Sequence, residues 1–156
     1  MKGSEREVDR RAFLSAATGA AAFAGLAARV SAAEMTPEER ANVQVVNTFC
    51  AAWPGHDLDT LMAFFTDAGA YRMTETMEPA KGRDAVAARI KSILSQVVGF
   101  EVLDTFARGP MVINERIDRF SGGPLKTWHG VGVFFLKGGK IVEWYDYTIA
   151  MERSSA

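Results

Sequence analysis

From Met111 to Tyr147 the chain reads MVINERIDRF, SGGP, LKTWHGVGVFFL, KGGK, IVEWYDY. Two short glycine-bearing breaks, Ser121-Gly122-Gly123-Pro124 and Lys137-Gly138-Gly139-Lys140, cut a β-branched and aromatic stretch into strand-length pieces. That is the punctuation of an antiparallel meander. With Arg108-Gly109-Pro110 as a third break, strands are predicted over about 100–107, 110–120, 126–137 and 140–150.

Upstream the period changes from two to three and four. Thr36-Pro37-Glu38-Glu39 has the residues of a helix start, with Thr as cap and Glu three places on. Val43, Val46, Phe49, Cys50 and Trp53 then line one face, and Pro54-Gly55 stops the helix. Asp57 caps a shorter helix carrying Leu58, Leu61, Met62 and Phe65, and Ala70 to Met73 reads as a short strand. Gly82-Arg83-Asp84 opens a third helix with Val86, Ile90, Ile93, Leu94 and Val97 on its apolar face, ended by Gly99. Helices first and a meander afterwards predict an α+β domain over 36–152. So small a sheet has to curve around the N-terminal helices to hide its apolar face, which gives a cone with an internal pocket.

Residues 1–33 read as an address. A mixed-charge start leads into Arg10-Arg11-Ala12-Phe13-Leu14 and an Ala/Gly-rich apolar run from Ala16 to Ala28, with small residues at Ser31-Ala32-Ala33. This is the order of a twin-arginine signal peptide, so periplasmic or exported placement is expected, with the membrane met only during export. The competing reading is an amphipathic helix packed on the domain, against which the run shows no polar stripe.

The 156 residues carry a net charge of -1 and no basic cluster interleaved with aromatics, which excludes an electrostatic nucleic-acid reader. A single cysteine, Cys50, rules out an intramolecular disulfide and a multi-cysteine zinc site. Chemistry then falls to carboxylates, His, Tyr and Arg, and neither metal nor cofactor is expected.

The glycine loops also suggest a register. If Phe120 faces Leu125, then Asp118 faces Thr127 and Arg116 faces His129; if Leu136 faces Ile141, then Val133 faces Trp144 and Val131 faces Asp146. Cross-strand partners share a face. Asn114, Arg116, Asp118, His129, Val131, Trp144 and Asp146 are therefore expected on one side, with Arg116 diagonally between Asp118 and Asp146. Ile113, Glu115, Ile117, Gly132, Phe134, Glu143 and Tyr145 are expected on the other. A solvated ion pair on an open strand is the plain alternative for Arg116 and Asp118. The aromatic setting of Asp146 within Trp144-Tyr145-Asp146-Tyr147 favours a desolvated pair of carboxylates bridged by one Arg, an arrangement that can keep one ionised and the other protonated.

At Gly82-Arg83-Asp84-Ala85-Val86, Glu115-Arg116-Ile117-Asp118 and Gly139-Lys140-Ile141-Val142-Glu143-Trp144-Tyr145-Asp146-Tyr147, the chain resembles the limonene-1,2-epoxide hydrolase family, within the nuclear transport factor 2-like and SnoaL-like superfamily. The resemblance runs over roughly Asn42 to Ala150. It implies an Asp-Arg-Asp triad in which Asp146 deprotonates a water, Asp118 protonates the epoxide oxygen and Arg116 orients both. The product would be a vicinal diol, formed in one step without cofactor or covalent ester. The family's water-holding Tyr and Asn correspond to Tyr71 and Met73, so the second is replaced by a thioether, a poor hydrogen-bond partner. Glu75, or His129 opposite Arg116, is the expected substitute. Met73, His129, Trp144 and Phe65 are expected to contact a small apolar substrate, with Tyr71 and His129 equally readable as pocket wall.

Two other readings stay open. One is a SnoaL-like cyclase or isomerase with Asp146 or His129 as base next to a carbonyl, for which Arg116 is dispensable. The other is a binding module without catalysis. A homodimer through the outer sheet face is expected in each case.

Overall fold

In the computed structural model, residues 34–154 are described; the signal-peptide reading of residues 1–33 lies outside them. Helix α1 (Pro37–Ala52) starts with the reciprocal cap expected of Thr36 and Glu39, each side chain receiving the other's backbone N–H. It buries Val46, Phe49 and Cys50 and runs into a 3-10 turn, Trp53–Gly55, whose Trp53 is fully buried. Helix α2 (Leu58–Met62) is capped by Asp57, and α3 (Arg83–Leu94) buries Val86, Ile90 and Leu94. No helix among the described residues is long and apolar enough to cross a membrane.

The strands are β1 (Phe65–Arg72), β2 (Ala80–Lys81), β3 (Val97–Arg108), β4 (Met111–Phe120), β5 (Leu125–Lys137) and β6 (Lys140–Arg153). They form one curved, open sheet in the order β2-β1-β6-β5-β4-β3, antiparallel except where β1 lies parallel to β6. The sheet is therefore mixed, and the α+β cone is as expected. Phe65 opens β1 instead of closing the second helix, because α2 stops at Met62 and the Phe65 ring packs edge-on to Phe49 from the sheet side. Val97 likewise belongs to β3, not to the third helix. The two-residue β2 has no counterpart in the sequence reading.

The register needs correction by one residue at β5. Asp118 faces Trp128, Arg116 faces Gly130 and Asn114 faces Gly132. Across the next hairpin Leu136 faces Ile141 as expected, but a bulge intervenes before the next pair, so Phe134 faces Trp144 and Gly132 faces Asp146. A bulge adds one residue to one strand and reverses the facing of the residues beyond it. Hence Trp128, Gly130, Gly132 and Phe134 point inward, while His129 and Val131 join Ile117, Tyr145 and Tyr147 on the outer side. The two shifts cancel between β4 and β6, so Asn114, Arg116, Asp118, Trp144 and Asp146 share the inner face.

Candidate active site

Arg116 is 1% exposed, Asp118 5% and Asp146 3%, so three charges lie together out of bulk water. The guanidinium fork holds both carboxylates. Nε donates to Asp118 Oδ1 at 2.9 Å and Nη2 to Oδ2 at 3.2 Å, while Nη2 also reaches Asp146 Oδ1 at 3.1 Å and Oδ2 at 3.0 Å. Burial this complete is tolerable only because each charge has an opposite partner in a bidentate or near-bidentate geometry. The flat faces of the cation are covered as well: its central carbon stands 4.9 Å from the Phe100 ring, 4.9 Å from Trp128 and 5.4 Å from Trp144.

Desolvation pushes both carboxylic acids up against the pull of Arg116, Asp118 to about 6 and Asp146 to about 7. Burial also opposes the Arg116 charge, but the two carboxylates overcome it and leave the guanidinium firmly protonated. The cluster therefore holds one proton between two acids near neutral pH, as a coupled pair. The proton belongs to the pair and to neither acid alone, and burial is the main cause that raises Asp146. Trp144 pulls the other way, donating its indole N–H to Asp146 Oδ1 at 2.7 Å and so favouring the ionised form.

A cavity of about 160 Å³ opens onto this cluster, its wall including Tyr71, Met73, Phe100, Asp118, Trp128 and Asp146. Tyr71 is 1% exposed and stacks on Trp144 at 3.9 Å, brought there by the parallel pairing of the two residues. Burial and the neighbouring Asp146 raise its hydroxyl well above its ordinary value, so it stays protonated and able to donate. Met73 lines the same wall.

Trp144 itself is fully buried, and its indole is spent on Asp146, not on the cavity. Phe134, expected on the outer face, stacks on it from inside at 5.4 Å. Phe65 packs in the core between Phe49 and Trp144. His129 is on the outer face, where its Nε2 meets Glu115 Oε1 at 2.8 Å. Glu75 is exposed and accepts from the Thr148 backbone and hydroxyl. Neither replaces the polar group missing at Met73.

Trp128, Phe100 and the inward Gly132 go beyond the sequence reading. The alternation Trp128, Gly130, Gly132, Phe134 carries the signal for an inward row of two large rings flanking two gaps, and β5 follows it. Beneath the triad, Cys50 Sγ donates to Asn114 Oδ1 (3.8 Å), Asn114 Nδ2 to Thr105 Oγ1 (2.7 Å) and Thr105 Oγ1 to Asn47 Oδ1 (2.8 Å), tying α1 to β3 and β4. Burial pushes the Cys50 thiol up to about 12, which makes it an inert part of this network.

A family model described as "SnoaL-like domain" matches residues 46–144. Among solved structures, an M. tuberculosis LEH-like epoxide hydrolase is 30% identical, with 72% of this chain and 85% of that one covered and a TM-score of 0.62. A protein from Jannaschia sp. CCS1 titled as a SnoaL-like polyketide cyclase is 16% identical (74% and 90% covered, TM-score 0.64). Bal32a, from a soil-derived mobile gene cassette, is 19% identical (72% and 92% covered, TM-score 0.63). The last two share the fold.

Proposed function

The chain belongs to the SnoaL-like domain family, and from that premise we propose that it hydrolyses a largely apolar epoxide to a vicinal diol at the Asp118–Arg116–Asp146 cluster. The observation that carries the reading is one buried guanidinium donating to two carboxylates at the end of an otherwise apolar cavity. The 30% identical epoxide hydrolase supports it.

In this mechanism a water beside Tyr71 gives a proton to Asp146 as its oxygen attacks one epoxide carbon. The C–O bond at that carbon breaks, and the freed oxygen takes the proton of Asp118. One proton is accepted and one delivered, so the carboxylates have exchanged states and a proton must return from Asp146 to Asp118 before the next turnover. An epoxide oxygen accepts hydrogen bonds and so selects protonated Asp118, while a water donates and selects ionised Asp146. Substrate and water together thereby set the shared proton on Asp118 and leave Asp146 ionised. Arg116 stays charged throughout and fixes the distance between acid and base.

The test is diol formation from a panel of epoxides in water enriched in heavy oxygen, comparing the chain with Asp146→Asn and Asp118→Asn. One labelled oxygen per diol and a loss of about 10²- to 10⁴-fold in each variant are expected, the usual range for removing a general acid or base. Absence of turnover on every epoxide by folded protein rejects the reading. The second reading, proton transfer next to a carbonyl with Asp146 as base, draws on Met73 standing where a water-holding amide would be. It predicts loss in Asp146→Asn, with activity per folded molecule retained in Arg116→Gln.

Two expectations accompany either reading: export directed by residues 1–33, and a second copy covering the outer sheet face, where Phe106 is 48%, Tyr147 45% and Ile149 56% exposed.

A further inference from the structure

The cavity is charged at both ends. At its floor stand Asp118 and Asp146; the remaining charged residue of its wall is Arg153, near the end of β6. Between them the wall includes Met73, Ile93, Phe120, Leu125 and Met151. The Arg153 backbone is held by the ladder: it pairs with Leu125, and the next residue's N–H, that of Ser154, donates to Pro124 O at 2.7 Å, while the exposed side chain lines the outer part of the cavity. Among the described residues no carboxylate stands within ion-pair distance of it. Arg119, next to Asp118 on β4, is engaged with Glu101.

The register sets the separation of the two ends. Asp118 pairs with Trp128 and Trp128 with Met151, two strand spacings or about 10 Å across the sheet, and Arg153 lies two residues beyond Met151, about 7 Å further along the strand. A neutral apolar ligand would fill the middle of this cavity and make no use of Arg153. A ligand with a carboxylate would gain a charge-assisted contact at the outer end, with the planar fork that suits a carboxylate. It would also be set in one direction, because the buried Arg116 at the floor is already paired with Asp118 and Asp146, while Arg153 at the outer end is not engaged by a carboxylate among the described residues.

Resting on the hydrolase reading for the chemistry at the floor, we propose that the substrate is an amphipathic epoxy acid, bound with its carboxylate at Arg153 and its epoxide at Asp118 and Asp146. Arg153 is then a specificity-determining residue that touches substrate but not the reacting atoms. It acts on binding and orientation, and leaves the chemical step alone.

The experiment uses the full chain, a set of ω-epoxy fatty acids of short, medium and long chain, and their methyl esters. Turnover is compared for the wild type, Arg153→Gln and Arg153→Lys. The wild type is expected to prefer the acid of matching length over its ester by roughly three- to tenfold in kcat/KM, through KM, the range of one partly solvated charge-assisted contact. Arg153→Gln is expected to abolish that preference by raising the acid's KM far more than the ester's, and Arg153→Lys to keep part of it. Equal constants for acid and ester in the wild type, or a preference that survives in Arg153→Gln, overturns the proposal. Binding of the saturated acid and its ester, followed by tryptophan fluorescence, separates this from the hydrolase reading. If no epoxide is turned over, tighter binding of the acid that is lost in Arg153→Gln still supports the carboxylate site, and equal binding rejects it.

Discussion

Gly132 lies directly opposite Asp146 on the β5–β6 ladder, and the place its missing side chain leaves is filled by Arg116: a Cβ there would stand 2.6 Å from Nη1. It would also meet the Phe134 ring at 2.7 Å and Asp146 Oδ1 at 3.1 Å. The inner face can hold an Arg flanked by two Asp only because the strand between them is bare at this point.

Gly132→Ala is therefore expected to displace the guanidinium from Asp146. The outcome is a loss of activity of at least about tenfold together with about 1–3 kcal/mol of stability, the range for overpacking a filled interior. Denaturant melts alongside steady-state rates check it, and wild-type activity in Gly132→Ala would mean that the Arg116–Asp146 contact is not needed.

Trp144→Phe keeps a ring in the stack between Tyr71 and Phe134 but removes the indole N–H from Asp146. With one donor fewer, the ionised form is less favoured and the Asp146 pKa rises further above about 7. The acidic limb of the pH–rate profile is expected to move to higher pH. An unchanged profile with merely lower stability would assign Trp144 to packing alone.

The pH dependence of stability has a definite sign. Asp118 and Asp146 ionise in the fold at about 6 and about 7, against an ordinary value of 3.8, so the folded chain binds more protons than the unfolded one in between. Their contribution is fully present below about 4 and is lost as pH rises through about 6 and 7. Thr36 and Gly109 backbone N–H groups hold Glu39 below its ordinary value and work in the opposite direction, but that stability is lost only as pH falls through the lower carboxylate range. Tm is thus expected to fall from about pH 5 to about pH 8, and the fall to be smaller in Asp146→Asn. A Tm that rises over that interval contradicts the shared-proton cluster.

Met73→Asn offers a gain-of-function test, because it restores an amide at the cavity wall beside Tyr71. On the hydrolase reading kcat rises, by up to about tenfold if a water gains a second hydrogen-bond partner. A fall in kcat would show that the thioether serves the substrate and not the water.

Two one-residue shifts decide how far the site is legible in the sequence. The turn loops place strand ends only to within a residue, and neither the longer connection at Ser121 nor the bulge before Leu136 leaves a mark in composition. Since the two displacements cancel across β5, Arg116, Asp118 and Asp146 are nonetheless found on one face. His129 and Val131 sit on the strand that shifts, and so does the misplaced Phe134. Trp144 is legible as inward but not as a donor, because which group an indole N–H meets depends on side-chain packing. Phe65 escapes correct placement because its helical spacing from Leu58, Leu61 and Met62 is also compatible with a strand start after a short helix.

The parallel pairing of β1 with β6 joins Tyr71 to Trp144 across nearly half the chain. Every other strand contact on the site is made between hairpin neighbours, which close over short loops and form early. β1 must wait for β6 to exist and then close a much longer loop, so it docks late. A refolding chain would accordingly pass through a stage with Arg116 already between its two carboxylates but Tyr71 not yet in the cavity wall. Recovery of activity should lag behind recovery of the sheet, with Tyr71 the last of the site's residues to arrive.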